Sequence, residues 1–112
     1  MNTKIRTNTC SVVALFLSTW AAWGASTDTI RFGVIGDFGS GSTSERDVAN
    51  LVKSWSPDFI ITVGDNNYPD GAASTIDGNI GQFYHSFIYP YSGSYGAGAA
   101  TNRFFPSLGN HD

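Results

Sequence analysis

Ile60-Ile61-Thr62-Val63-Gly64-Asp65-Asn66-Asn67-Tyr68 is the stretch on which the reading of this chain turns. A β-branched apolar run stops at a glycine. A carboxylate follows at once, and a phenol comes three residues after that. The run has the composition of a buried strand, and its end delivers two oxygen donors into a loop. Ligands of open α/β sheets bind outside the carboxyl ends of the strands. Val34-Ile35-Gly36-Asp37 repeats the pattern upstream, and Ser107-Leu108-Gly109-Asn110-His111-Asp112 repeats it downstream. The three strand ends are expected to converge on one metal site.

Working outward, Thr29 to Ile35 alternates and then runs apolar, which predicts a first strand. Ser42-Thr43-Ser44-Glu45 reads as a capping box, with Ser42 as N-cap and Glu45 reaching back. Val48, Leu51, Val52 and Trp55 then fall on one helical face, the expected core face. Pro57 ends that helix, because the residue before a proline avoids the α region. Phe59 to Val63 is the second strand, apolar enough to be covered on both faces of a parallel sheet. Strand, helix and strand make a βαβ unit. Pro69-Asp70-Gly71 is a turn. Ile76, Ile80, Phe83, Tyr84, Phe87 and Ile88 predict a second helix over residues 74–88, weakened by Gly78 and Gly81 at ~1 kcal/mol each. Residues 89–102 read as a surface loop. Residues 103–108 form a third strand, with Pro106 pushing it towards an edge or irregular position.

The length of 112 residues allows about one domain. With 41% hydrophobic and 13% charged residues, the composition is globular rather than disordered. Residues 1–24 stand apart from the core. Lys4 and Arg6 precede an apolar run from Ser11 to Trp23, and small residues follow, the layout of a secretory signal peptide. Thirteen apolar residues fall short of the ~20 that span a bilayer; an uncleaved anchor is the alternative reading. Export implies a secreted or periplasmic protein with no stable membrane span after cleavage. Cys10 lies inside the leader, so residues 25–112 carry no disulfide framework. They keep four basic residues against nine acidic ones. That balance argues against nucleic acid as a bulk electrostatic partner and suits a cation site.

Asp37, Asp65, Tyr68 and Asn110 offer carboxylate, phenol and amide oxygens, donors that match hard cations. A carboxylate can bridge two metals ~3.5–4 Å apart, the spacing that clamps a phosphoryl group. The quieter readings of neighbouring residues are a helix-surface His85 and solvated Asp70 and Asp77. Gly39-Ser40-Gly41-Ser42 precedes a helix as a phosphate cradle would, but it lacks the Walker lysine and the G-x-G-x-x-G spacing.

Gly36-Asp37-Phe38-Gly39, Gly64-Asp65-Asn66-Asn67-Tyr68 and Gly109-Asn110-His111-Asp112 resemble the first three motif blocks of the calcineurin-like metallophosphoesterase superfamily. The tyrosine in G-D-x-x-Y narrows the resemblance to the purple acid phosphatase-like branch. The resemblance implies an α/β fold, the first half of an α/β/β/α sandwich, in residues 25–112. It implies a dinuclear centre of Fe(III) with Fe(II), Zn or Mn. Asp37 and Tyr68 would hold the first metal, Asp65 would bridge, and Asn110 would hold the second. A free phenol has a pKa of ~10, so a strongly acidic cation is needed to keep Tyr68 ionised. His111 would contact a phosphate ester substrate and act as general acid, with Asp112 orienting its imidazole. A metal-bound hydroxide would attack phosphorus.

The activity so implied is phosphomonoester hydrolysis. A phosphodiesterase on the same scaffold and a non-catalytic secreted remnant are the alternatives. The family has two further histidine blocks. This chain carries only His85 and His111 and ends inside the third block. The expectation is therefore an N-terminal part of a longer protein, with four of seven ligands, weak metal binding and little turnover.

Overall fold

The computed structural model describes residues 28–112, so the leader read over residues 1–24 lies outside the described residues. The chain builds a three-stranded parallel sheet with helices on one face, an α/β unit. Strand β1 is Phe32–Ile35, β2 is Phe59–Thr62 and β3 is Phe104–Phe105, in the order β1-β2-β3. Helix α1, Thr43–Ser54, connects β1 to β2. The register pairs Phe32 with Phe59 and Ile35 with Thr62, so the two strands end level with each other.

β3 is shorter than the predicted strand. Pro106 has no N–H for a ladder, and the Ser107 N–H donates to the Thr62 hydroxyl at 3.0 Å instead of to a backbone carbonyl.

Both helical segments pack on the same side of the sheet. Ile35, Ile60 and Phe104 meet Ala49, Val52, Phe83, Tyr84 and Phe87 there in one core. The expectation that β2 is covered on both faces is therefore corrected: its burial alternates, and Val63 beyond it is 66% exposed. On the open face Phe32 stacks on Phe59 with centroids 5.3 Å apart, and Phe59 meets Phe105 edge-on at 5.9 Å.

The core face of α1 differs from the expected one. Val48, Leu51 and Trp55 are exposed, and Glu45, Ala49 and Val52 are buried. The N-terminus of the helix shows the same difference. Ser42 caps as expected, its hydroxyl accepting from Glu45 N at 3.3 Å. The Glu45 side chain, however, turns inward past the cap to the N–H groups of Ser40 (2.9 Å) and Gly41 (2.7 Å). Ala49 and Val52, four and seven residues on, share that inward face.

The second helical segment occupies the expected place but is irregular. It runs as a π-helix Asp77–Gly81, a short α-helix Gln82–Tyr84 and a 3-10 turn His85–Phe87. Gly78 and Gly81, the two weak helix formers of the segment, both lie in the π turn. Asp77 is not merely solvated. It accepts from Tyr91 Oη at 2.6 Å and from Ser94 N at 2.9 Å, pinning the 89–102 loop to this segment. Among the described residues no helix is long and apolar enough to cross a membrane.

Burial pushes the Glu45 carboxyl up to about 7 from 4.5, against the pull of the Gly41, Ser40 and Ser42 N–H groups. A raised carboxyl pKa means that the folded state holds the proton more tightly than the unfolded chain. The resulting stability is fully present below pH ~4.5 and is lost as pH rises through ~7, up to about 3 kcal/mol. Urea unfolding of wild type and Glu45→Gln between pH 4 and 8 should show this decline in wild type alone. Parallel pH profiles for the two proteins would contradict it.

Candidate functional site

Because β1 and β2 end level, the residues just beyond them lie side by side. Asp37 N donates to Gly64 O at 3.1 Å, and Phe38 N to Asp65 O at 3.2 Å. Both aspartates have left-handed backbone, with φ of 53° at Asp37 and 54° at Asp65. Such backbone is uncommon outside glycine, though aspartate tolerates it better than most, and it clusters at functional sites. The loops are also in close contact. A side chain at Gly39 would overlap the Asn66 carbonyl, and Gly39 O accepts from Tyr68 N at 2.7 Å.

This packing brings three side-chain oxygens together. Tyr68 Oη donates to Asp65 Oδ2 at 3.0 Å and lies 3.4 Å from Asp37 Oδ1. Partial desolvation, then the hydrogen bond and charge of Asp65, then Asp37, push the phenol up to about 12. Tyr68 is therefore a neutral donor here at ordinary pH. The position of its loop is fixed from behind by a polar network. Asn67 Oδ1 accepts from Thr75 Oγ1 and Asn79 Nδ2, both at 2.9 Å, and Asn79 Nδ2 also donates to Tyr68 O at 2.9 Å.

The third loop joins the first two through Asp112. Oδ1 accepts from Asn66 N at 2.7 Å and Asn67 N at 3.1 Å. Oδ2 accepts from Gly109 N at 2.7 Å and Asn66 Nδ2 at 2.8 Å. Desolvation opposes the charge, but these N–H donors outweigh it and hold the carboxyl below its ordinary value.

The expected role of Asp112 as orienter of the imidazole is thereby corrected, since its oxygens are turned to the backbone of the Asp65 loop. His111 Nδ1 lies 2.6 Å from Pro69 O instead. A carbonyl only accepts, so Nδ1 carries the proton in that bond and Nε2 is left for a partner. The imidazole packs on the Tyr68 ring at 4.8 Å, and His111 N donates to Asp65 Oδ1 at 3.1 Å. Gly109 has to be small, because a Cβ there would meet the Asp65 carboxylate.

Asp37, Asp65, Tyr68 and His111 are thus in one place, and Asp112 braces it. Asn110 sits exposed on the same turn, with no side-chain hydrogen bond to the other donors. Among the described residues no three His, Cys, Asp or Glu side chains cluster as a metal group. Two carboxylates and a phenol suit a hard cation and supply part of its shell. His85 is half-buried, with Nδ1 on Gly81 O at 3.0 Å and its ring 5.7 Å from Tyr91, away from this cluster.

Asn66, Asn67, Asn79 and Glu45 are buried polar residues that sequence reasoning did not assign to the site. The one signal for them was a pair of asparagines directly after the Gly64-Asp65 turn.

Asp112→Ala should leave four N–H donors without their shared acceptor. Amide exchange at Asn66, Asn67 and Gly109 is expected to accelerate about tenfold or more, the equivalent of one charged hydrogen bond. Unchanged protection at all three amides would rule out the brace.

Comparison with known proteins found no family model, no curated protein and no solved structure that matches the chain.

Proposed function

We propose that residues 25–112 form the N-terminal part of a calcineurin-like metallophosphoesterase domain of the purple acid phosphatase-like branch, acting on phosphate monoesters. Export by the residue 1–24 leader belongs to the same proposal. The observation that carries it is the pair of left-handed aspartates at adjacent strand ends, joined by one phenol. Strained backbone persists only where the surroundings over-determine it, and here both strained residues aim carboxylates at one point. The apolar aromatic row on the open sheet face agrees with half of a sandwich.

In this reading Asp37 and Tyr68 would hold Fe(III), Asn110 would serve a second ion, Fe(II), Zn or Mn, and Asp65 would be shared by the two. When bound, such a centre lowers the pKa of water from 15.7 towards ~7 and neutralises phosphate oxygens. The chain's own residues do the rest. The Asp65 carboxylate keeps one oxygen towards Tyr68 and one towards His111 N, which fixes its orientation. The Pro69 carbonyl and the Tyr68 ring hold the imidazole so that Nε2 is the nitrogen available to a leaving group.

Metal binding is the decisive measurement, since four donors in this chain predict little turnover. Titration with Fe(III) citrate should raise a visible phenolate charge-transfer band. Tyr68→Phe should abolish it, and Asp65→Asn should weaken uptake at least ~100-fold, about 2.7 kcal/mol of a charged ligand's contribution. p-Nitrophenyl phosphate should be preferred to its bis ester in whatever hydrolysis is detected. A wild-type chain that binds neither Fe(III) nor Zn(II) would remove the basis for the reading.

A further inference from the structure

Glu45 is the one carboxylate buried in the core, 3% exposed, and it is eight residues from the nearest candidate ligand. In a capping box the glutamate returns to the N–H of its own N-cap. Here Oε2 reaches further, to Ser40 N at 2.9 Å and Gly41 N at 2.7 Å. Those two N–H groups close the loop that begins at Asp37. Its other end is tied to the Asp65 loop through Asp37 N, Phe38 N and Gly39 O. Asp37 therefore sits between two anchors, one on the partner loop and one on α1.

The remaining oxygen, Oε1, is buried without a hydrogen-bond partner. So is the hydroxyl of Tyr84, a fully buried core residue. A cap needs neither orphan, because Ser42 already satisfies Glu45 N. The same helix start with an exposed glutamate would leave no buried carboxyl. What the inward turn adds is a rigid link from α1 to the Asp37 loop. Metal geometry tolerates displacements of only ~0.5 Å, and its accuracy rests on such supporting contacts.

We infer that Glu45 is a positioning residue for the metal site, holding the Asp37 carboxylate beside the Tyr68 hydroxyl, 3.4 Å away, by clamping the Ser40 and Gly41 N–H groups. This rests on the metal-binding reading of Asp37, Asp65 and Tyr68.

The test compares Fe(III) citrate uptake, read from the phenolate band, in the full chain and four variants. Glu45→Ala should weaken uptake at least tenfold. Glu45→Gln should stay within about threefold of wild type, because its amide oxygen accepts the same two N–H groups. Glu45→Asp is one methylene too short for both and should resemble Ala, which keeps the test open if the alanine variant fails to fold. Ala49→Gly, a buried helix substitution away from the loop, should lower the thermal midpoint and leave uptake unchanged.

Wild-type uptake in Glu45→Ala or Glu45→Asp would overturn the inference while leaving the metal site standing. An equal loss in Ala49→Gly would overturn it too, by showing a general stability effect. No band in the wild-type chain would instead defeat the metal-site reading and this inference with it.

Discussion

The site depends on a single constraint, the level ending of two parallel strands. Ile35 beside Thr62 fixes where both chains leave the sheet. A slip of one residue would turn every side chain of β2 to the other face. Ile60 and Thr62 would then point away from the helices, and Phe59 and Ile61 into them. Asp37 and Asp65 would also lose the crossed backbone bonds, Asp37 N to Gly64 O and Phe38 N to Asp65 O, that now lock the loops together. Packing of the core and placement of the two carboxylates are therefore settled by the same register.

The register explains why so much of the site could be read from the chain. Val34-Ile35-Gly36-Asp37 and Thr62-Val63-Gly64-Asp65 are two copies of one local instruction. Each says that a strand stops at glycine and presents an acid. A parallel βαβ unit puts two such copies at the same edge with no further information. Tyr68 followed from its spacing to Asp65.

The face of α1 was not legible, because apolar residues lie on two sides of that helix. Periodicity put Val48, Leu51, Val52 and Trp55 on one stripe, of which only Val52 meets the sheet. The buried face also carries Glu45, an acidic residue that periodicity places outside. The role of Asp112 was hidden for a related reason. Its neighbour in sequence is His111, but three of its four donors, on Asn66 and Asn67, lie more than 40 residues away.

Both failures involve carboxylates turned towards backbone N–H groups rather than towards water or other side chains. Asp112 accepts four such bonds or their side-chain equivalents, and Glu45 accepts two. Backbone donors carry no residue identity, so no pattern of residue types announces them. Their effect is nonetheless large, because a charge-assisted bond is about twice as strong as a neutral one. The loops after β1 and β2 carry five residues with positive φ, Asp37, Gly41, Gly64, Asp65 and Gly71. Loops of this kind have few ladder bonds of their own. Carboxylates that gather stray amides replace the missing ladder.

This division of labour accounts for the cost visible in the interior. Glu45 Oε1, Asn66 Oδ1 and Tyr84 Oη are all buried without partners. Each belongs to, or lies against, a residue that fixes a loop of the site. Unpartnered polar atoms in a low-dielectric interior are destabilising, and a chain selected for stability alone would replace them with apolar groups of similar shape. Glu45 and Asn66 bond directly to the loops that carry Asp37 and Asp65. The opposite end of the sheet is tied by other means. There Arg103 spends its guanidinium on the Asp58 and Ser86 carbonyls and the face of Phe87. The two ends of the sheet are thus held differently: a guanidinium gathers carbonyls at one, and carboxylates gather amides at the other, where the oxygen donors lie.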